Sequence, residues 1–143
     1  MAEHIKISRG EVAGPVPSTG EADAAAVEEW VRVAARAATT KSDAEVVALQ
    51  VGEVLGICDW FVICSGSNPR QVRTLCEEIE KVVVEAGGPA PRRVEGRDHL
   101  QWVLMDYGDF VVHVFHDEAR AFYELERLWS DVPRLDWQAV ENL

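Results

Sequence analysis

At 143 residues, 48% hydrophobic and 27% charged, the chain suits one globular domain with a real core. A formal net charge of −11 and a pI near 4.7 repel phosphate backbones, which need clustered Lys and Arg to neutralise them, and favour a basic protein partner. No stretch approaches the ~20 apolar residues of a membrane span, and the first twenty residues lack the apolar run of a signal peptide, so the expected compartment is the cytoplasm.

Residues 1–20 mix Gly, Pro and charges without a period and are expected to form a flexible arm ahead of a domain over 21–133. Ser18 and Glu21 have the S-x-x-E spacing of a capping box. Ala24, Val27, Trp30, Val31, Ala34 and Ala38 then recur at helical spacing and predict a helix over about 21–39. AEVVALQV (44–51) reads as a strand. Gly52 and Gly56 punctuate a connection to WFVICS (60–65), a strand apolar enough to be buried on both faces.

Asn68 and Pro69 mark a capped helix start. The stripe Val72, Leu75, Cys76, Ile79, Val82 and Val83 carries that helix to Gly87–Gly88–Pro89. A loop over 89–99 leads to the strand QWVLMDY (101–107), a turn at Gly108, and a returning strand DFVVHVF (109–115). Asp117 can cap a last helix with Phe122, Leu125, Leu128 and Trp129 on its apolar side, ended by Pro133. Residues 134–143 read as an acidic, mobile tail. Two strand pairs joined by a helical crossover predict an α/β (α+β) sandwich, one mixed sheet with packed helices.

The candidate chemistry is thin. The Gly–Ser loop SGSNP (65–69) sits where a phosphate cradle would sit, at a helix N-terminus. It lacks both glycine-rich fingerprints, and turn chemistry alone accounts for it. A metal-dependent nucleotidyltransferase needs two carboxylates alternating on one strand. Asp106 and Asp109 instead flank a turn, while Asp43 and Asp59 stand singly. His113 shares a face with Val111 and Phe115 and reads as a core histidine rather than a metal ligand. Cys58, Cys64 and Cys76 are an odd set in apolar surroundings with no C-x-x-C spacing, so they read as reduced core residues. No metal site, cofactor or catalytic residue is expected. Arg92, Arg93 and Arg97 make too small a basic patch for a nucleic-acid module, and little direct nucleic-acid contact is expected.

The strand QWVLMDY is more informative. Alternation puts Trp102, Leu104 and Asp106 on one face and Val103, Met105 and Tyr107 on the other. Either both faces are covered, or one exposes a Trp and a Leu beside a carboxylate, a fitting hot spot for a basic partner.

These residues, taken with blocks elsewhere in the chain, resemble the ribosomal silencing factor family (RsfS, also called Iojap). The resemblance runs from about residue 22 to 130. It comprises Asp43 with VVALQV, DWFVICSGSNPRQV (59–72), VEG (94–96), WVLMDYGDFVVHVF (102–115), and the spacing of Arg120, Tyr123, Leu125, Glu126, Leu128 and Trp129. The chain departs from the family at Gln50, where an acidic residue is usual, and at Trp60. The resemblance implies a nucleotidyltransferase-like fold without the catalytic carboxylates. It implies a non-enzymatic translation repressor that binds the large ribosomal subunit through its ribosomal protein numbered fourteen, blocks joining of the small subunit, and is a homodimer when free. Carried over by position, the family's partner contact falls on Glu95, Gly96, Trp102, Leu104, Asp106, Tyr107 and Asp109. On that reading Trp102 is an exposed anchor, whose truncation would cost binding and leave the fold intact. The alternative is a nucleotidyltransferase-like enzyme using Asp106, Asp109 and the Gly66–Ser67 loop with a metal.

Overall fold

In the computed structural model, Ile7–Ser8, Glu11–Val12 and residues 23–139 are described. Ile7–Ser8 (β1) and Glu11–Val12 (β2) pair as a small antiparallel ladder. The expected cap at Ser18 and Glu21 lies outside the described residues. Asp23 caps the first helix, Ala24–Thr39 (α1), its side chain accepting from the Ala25 N–H at 3.1 Å.

The main sheet holds five strands: Val47–Gln50 (β3), Trp60–Gly66 (β4), Arg93–Glu95 (β5), Trp102–Asp106 (β6) and Phe110–His116 (β7). Their spatial order is β3-β4-β7-β6-β5. Only β4 and β7 run parallel, the other neighbours antiparallel. The interior strand β4 is buried at every position, as expected for a strand covered on both faces. The helix Pro69–Glu85 (α3) starts as the sequence predicts, with the Asn68 side chain accepting from the Gln71 N–H at 2.8 Å. It ends at Gly87, whose φ of +90° only glycine adopts without strain, and Gly88 N–H closes back on the Val83 carbonyl.

Strand alternation sorts the core into two layers. Val62, Cys64, Val103, Met105, Val112 and Val114 pack against α1 and α3. Leu49, Phe61, Ile63, Trp102, Leu104 and Phe115 face the other way, toward Leu125, Trp129 and Val132. The mixed sheet with helices on it is therefore the α+β architecture expected.

Four features differ from the sequence expectation. Residues 93–95 form an edge strand rather than loop, because β6 supplies the partner: Arg93 pairs with Asp106, Val94 with Met105 and Glu95 with Leu104. Gly52–Leu55 (α2) is a single helical turn ended by Gly56 at φ +78°. The last helix is two, Asp117–Tyr123 (α4) and Leu125–Leu128 (α5), broken at Glu124 in the left-handed region, and His116 rather than Asp117 caps it. Finally, residues 134–139 are packed. Leu135 N–H bonds the Ala48 carbonyl, Gln50 N–H bonds the Pro133 carbonyl, and the Trp137 indole N–H bonds the Val46 carbonyl at 3.0 Å. This segment closes the outer edge of β3.

Candidate partner-binding site

The seven residues assigned to the partner contact lie along β5, β6 and the turn into β7, yet they do not share one environment. Trp102, Leu104, Asp106 and Tyr107 are buried, while Glu95, Gly96 and Asp109 are partly exposed. The exposed anchor expected at Trp102 is thereby corrected: its side chain is a core element, 5% exposed. The cause is the chain after β7, which folds back over this face of the sheet. Tyr123 of α4 lies against the Trp102 ring at 4.9 Å, Phe115 stacks on it at 4.8 Å, and its indole N–H donates to His113 Nδ1 at 3.0 Å. Leu104 sits in the same layer.

Asp106 is fully buried and turned inward. One carboxylate oxygen accepts from the Gly108 N–H at 2.8 Å, and the other lies 3.8 Å from the Arg93 guanidinium. The carboxylate thus holds the turn that presents Asp109. Tyr107 points into the opposite layer and stacks on Phe110 at 4.5 Å. Gly96 has φ +90°, and a Cβ there would lie 2.1 Å from the Trp102 carbonyl oxygen, so only glycine lets β5 approach β6 at that end. The structural framework is buried; Glu95 and Gly96 are partly exposed beside the Trp102 end of β6, and Asp109 is partly exposed in the turn at its other end.

The constellation considered for catalysis is not assembled. Asp109 is tied to the start of β4, its carbonyl accepting from the Asp59 N–H at 2.8 Å, whereas Gly66 is at the far end of that strand, in register with His116. Six residue steps at ~3.3 Å separate the two ends by roughly 20 Å. The helix start beside the Gly–Ser loop is already satisfied, with Gln71 Oε1 accepting from Ser67 N–H at 2.6 Å and Asn68 capping Gln71. Among the described residues no group of three or more His, Cys, Asp or Glu is placed to hold a metal ion.

His113 is fully buried, and burial pulls its imidazole down to about 3. It is a neutral acceptor for Trp102, the core role the sequence suggested. The three cysteines are buried and unpaired, each thiol pushed up to about 12 chiefly by burial, which leaves no thiolate nucleophile near neutral pH. Of the basic residues near 92–97, Arg93 pairs with Glu95 at 3.3 Å and Arg97 pairs with Glu80.

Two features escaped the sequence reading. Arg120 joins the end of β4 to the last helices. It donates to Ser65 Oγ at 2.9 Å, to the Glu45 carbonyl at 2.7 Å and, through two nitrogens, to Glu126 at 3.0 and 2.7 Å. In sequence it is one more charged helix residue, since its partners are up to 75 positions away. Of the four residues assigned to the apolar side of the last helix, Leu125 and Trp129 are buried as expected, whereas Phe122 and Leu128 are exposed, the helix being broken at Glu124.

The fold is an α+β sandwich, and the residues considered for catalysis are not brought together among its described residues. The family model described as "Ribosomal silencing factor during starvation" matches residues 24–143. A ribosomal silencing factor RsfS of Halalkalibacterium halodurans is 41% identical over 113 residues, 79% of this chain and 96% of the relative. A crystal structure of a Chromobacterium violaceum protein superposes with a TM-score of 0.68 at 28% identity, over 73% of this chain and 86% of that one. The mouse protein named mitochondrial assembly of ribosomal large subunit protein 1 is 30% identical over 88 residues, 60% of this chain and 39% of that protein. The chain belongs to the ribosomal silencing factor family.

Proposed function

We propose that this protein represses translation by binding the large ribosomal subunit through its basic ribosomal protein numbered fourteen, so that the small subunit cannot join. Membership of the silencing factor family carries this reading. The name of the mouse relative points to the same subunit. The charge of −11 suits a basic protein partner. The contact is made along β5, β6 and the turn after it by the partly exposed Glu95, Gly96 and Asp109, positioned by the buried Trp102, Leu104, Asp106 and Tyr107. The protein works by occlusion, performs no chemical step, and needs no cofactor. It acts in the cytoplasm and is a homodimer when free. No helix among the described residues is long and apolar enough to cross a membrane.

The test is subunit joining followed by light scattering. Saturating protein should abolish the rise in scattering when large and small subunits are mixed. Asp109→Lys should restore it by weakening the contact, and wild-type association should slow as salt rises. Joining that proceeds unchanged at saturating wild-type protein would overturn the proposal.

A further inference from the structure

Single exposed apolar side chains are ordinary, but adjoining exposed aromatic rings are the kind of surface that protein interfaces favour. Phe122 on α4 is 78% exposed and Tyr123 beside it is 40% exposed. Their rings meet edge to face at 5.0 Å. Tyr123 in turn lies on Trp102, which is fixed from beneath by His113 and Phe115. The outer rings therefore rest on a rigid floor, and an incoming group meets an aromatic surface that loses little freedom on contact.

The turn of α4 that leads into the pair is acidic. Asp117 and Glu118 open α4, both exposed, and neither has a salt-bridge partner among the described residues. Glu118 stands one helical turn before Phe122, on the same side of the helix. Aromatic faces beside unpaired carboxylates suit the Lys or Arg side chains of a basic segment, whose stems pack on the rings while their charges meet the acids. The pair also lies toward the Glu95–Gly96 end of the proposed contact, since Tyr123 packs on Trp102 and Gly96 is packed against the Trp102 carbonyl.

We infer that Phe122 and Tyr123 on α4 are the apolar anchor that docks a basic protein segment, extending the proposed contact beyond its Glu95–Gly96 end. This rests on the large-subunit reading and assigns the anchoring role to rings lying outside Trp102.

Hydroxyl-radical footprinting of the full chain, alone and with purified large subunits, tests it together with cosedimentation of Phe122→Ser and Phe122→Lys. Phe122 and Tyr123 should be modified in the dilute free protein and protected on the subunit. Phe122→Ser should bind at least about tenfold more weakly and Phe122→Lys more weakly still, with wild-type melting behaviour. Protection already present in dilute free protein means that the chain covers its own patch, and protection that appears only on concentrating the free protein assigns the patch to a second copy. Either result overturns the inference. If wild type binds subunits and both variants bind equally well, the anchor is wrong and the large-subunit reading stands. If wild type does not bind subunits, both fall.

Discussion

Trp102→Ala separates a core residue from an interface anchor in one measurement. The wild-type indole is 5% exposed, contacts Phe115 and Tyr123, and gives its N–H to a fully buried His113. Truncation leaves a ring-sized void between the sheet and α4, and the loss expected is ~3–5 kcal/mol. Part of that cost is His113, whose Nδ1 acceptor would be stranded away from water. Trp102→Phe keeps most of the ring and loses only the hydrogen bond and some volume, so it should cost ~1–3 kcal/mol. Urea denaturation followed by far-UV circular dichroism gives both values, and the melting temperature of Trp102→Ala should drop by more than about 10 °C. A shift below ~1 kcal/mol for Trp102→Ala, with large-subunit binding lost, is the signature of an exposed anchor and would refute the burial argument.

Gly96→Ala places a Cβ against the Trp102 carbonyl at a left-handed φ, and should cost ~2–4 kcal/mol by chemical denaturation, or detach β5. A neutral result would mean that β5 does not approach β6 as described. Burial holds His113 near 3 against an ordinary 6.5, so the unfolded chain takes up a proton that the folded chain refuses. Stability should therefore fall as pH drops from 6.5 toward 3, with this residue adding a slope of up to ~1.4 kcal/mol per pH unit. Denaturation at pH ~7, 6 and 5 should show a shallower decline for His113→Gln than for wild type, and parallel curves would dismiss the effect. Trp137→Ala should destabilise by ~3 kcal/mol, since the indole is buried against the α1–β3 groove, and an unchanged urea midpoint would contradict that packing.

Elements whose signals are local were legible in the sequence. Asn68–Pro69 and Gly87 bound α3 because capping and positive φ are properties of one or two residues. Period-2 alternation put Trp102 and Leu104 on one side of β6 and Val103 and Met105 on the other, as the two layers have them. What alternation cannot say is whether a face is covered. That depends on α4 and α5 folding back, and on a helix break at Glu124 that is not a glycine. For the same reason Trp102 and Phe122 exchanged roles: the ring expected outside is inside, and the ring expected inside is out. β5 was missed because it has only Val94 as an apolar residue and owes its existence to β6. The Arg120 network was missed because its partners come from three separate parts of the chain.

The segment after Pro133 has a consequence for how the molecule is made. Residues 133–137 pair with a strand laid down some ninety positions earlier, the Trp137–Val46 bond spanning 91 residues. Contacts that distant close late and slow the search for the native state. During synthesis β3 is out of the ribosome long before its cover, and until then it is an unshielded strand edge beside an unfilled groove. Such an edge is a template for another chain. The vulnerable interval in the life of this protein is therefore biosynthetic: it lasts until residues 133–137 emerge and Trp137 seats, and stalled chains that lack that segment should be the species that aggregate.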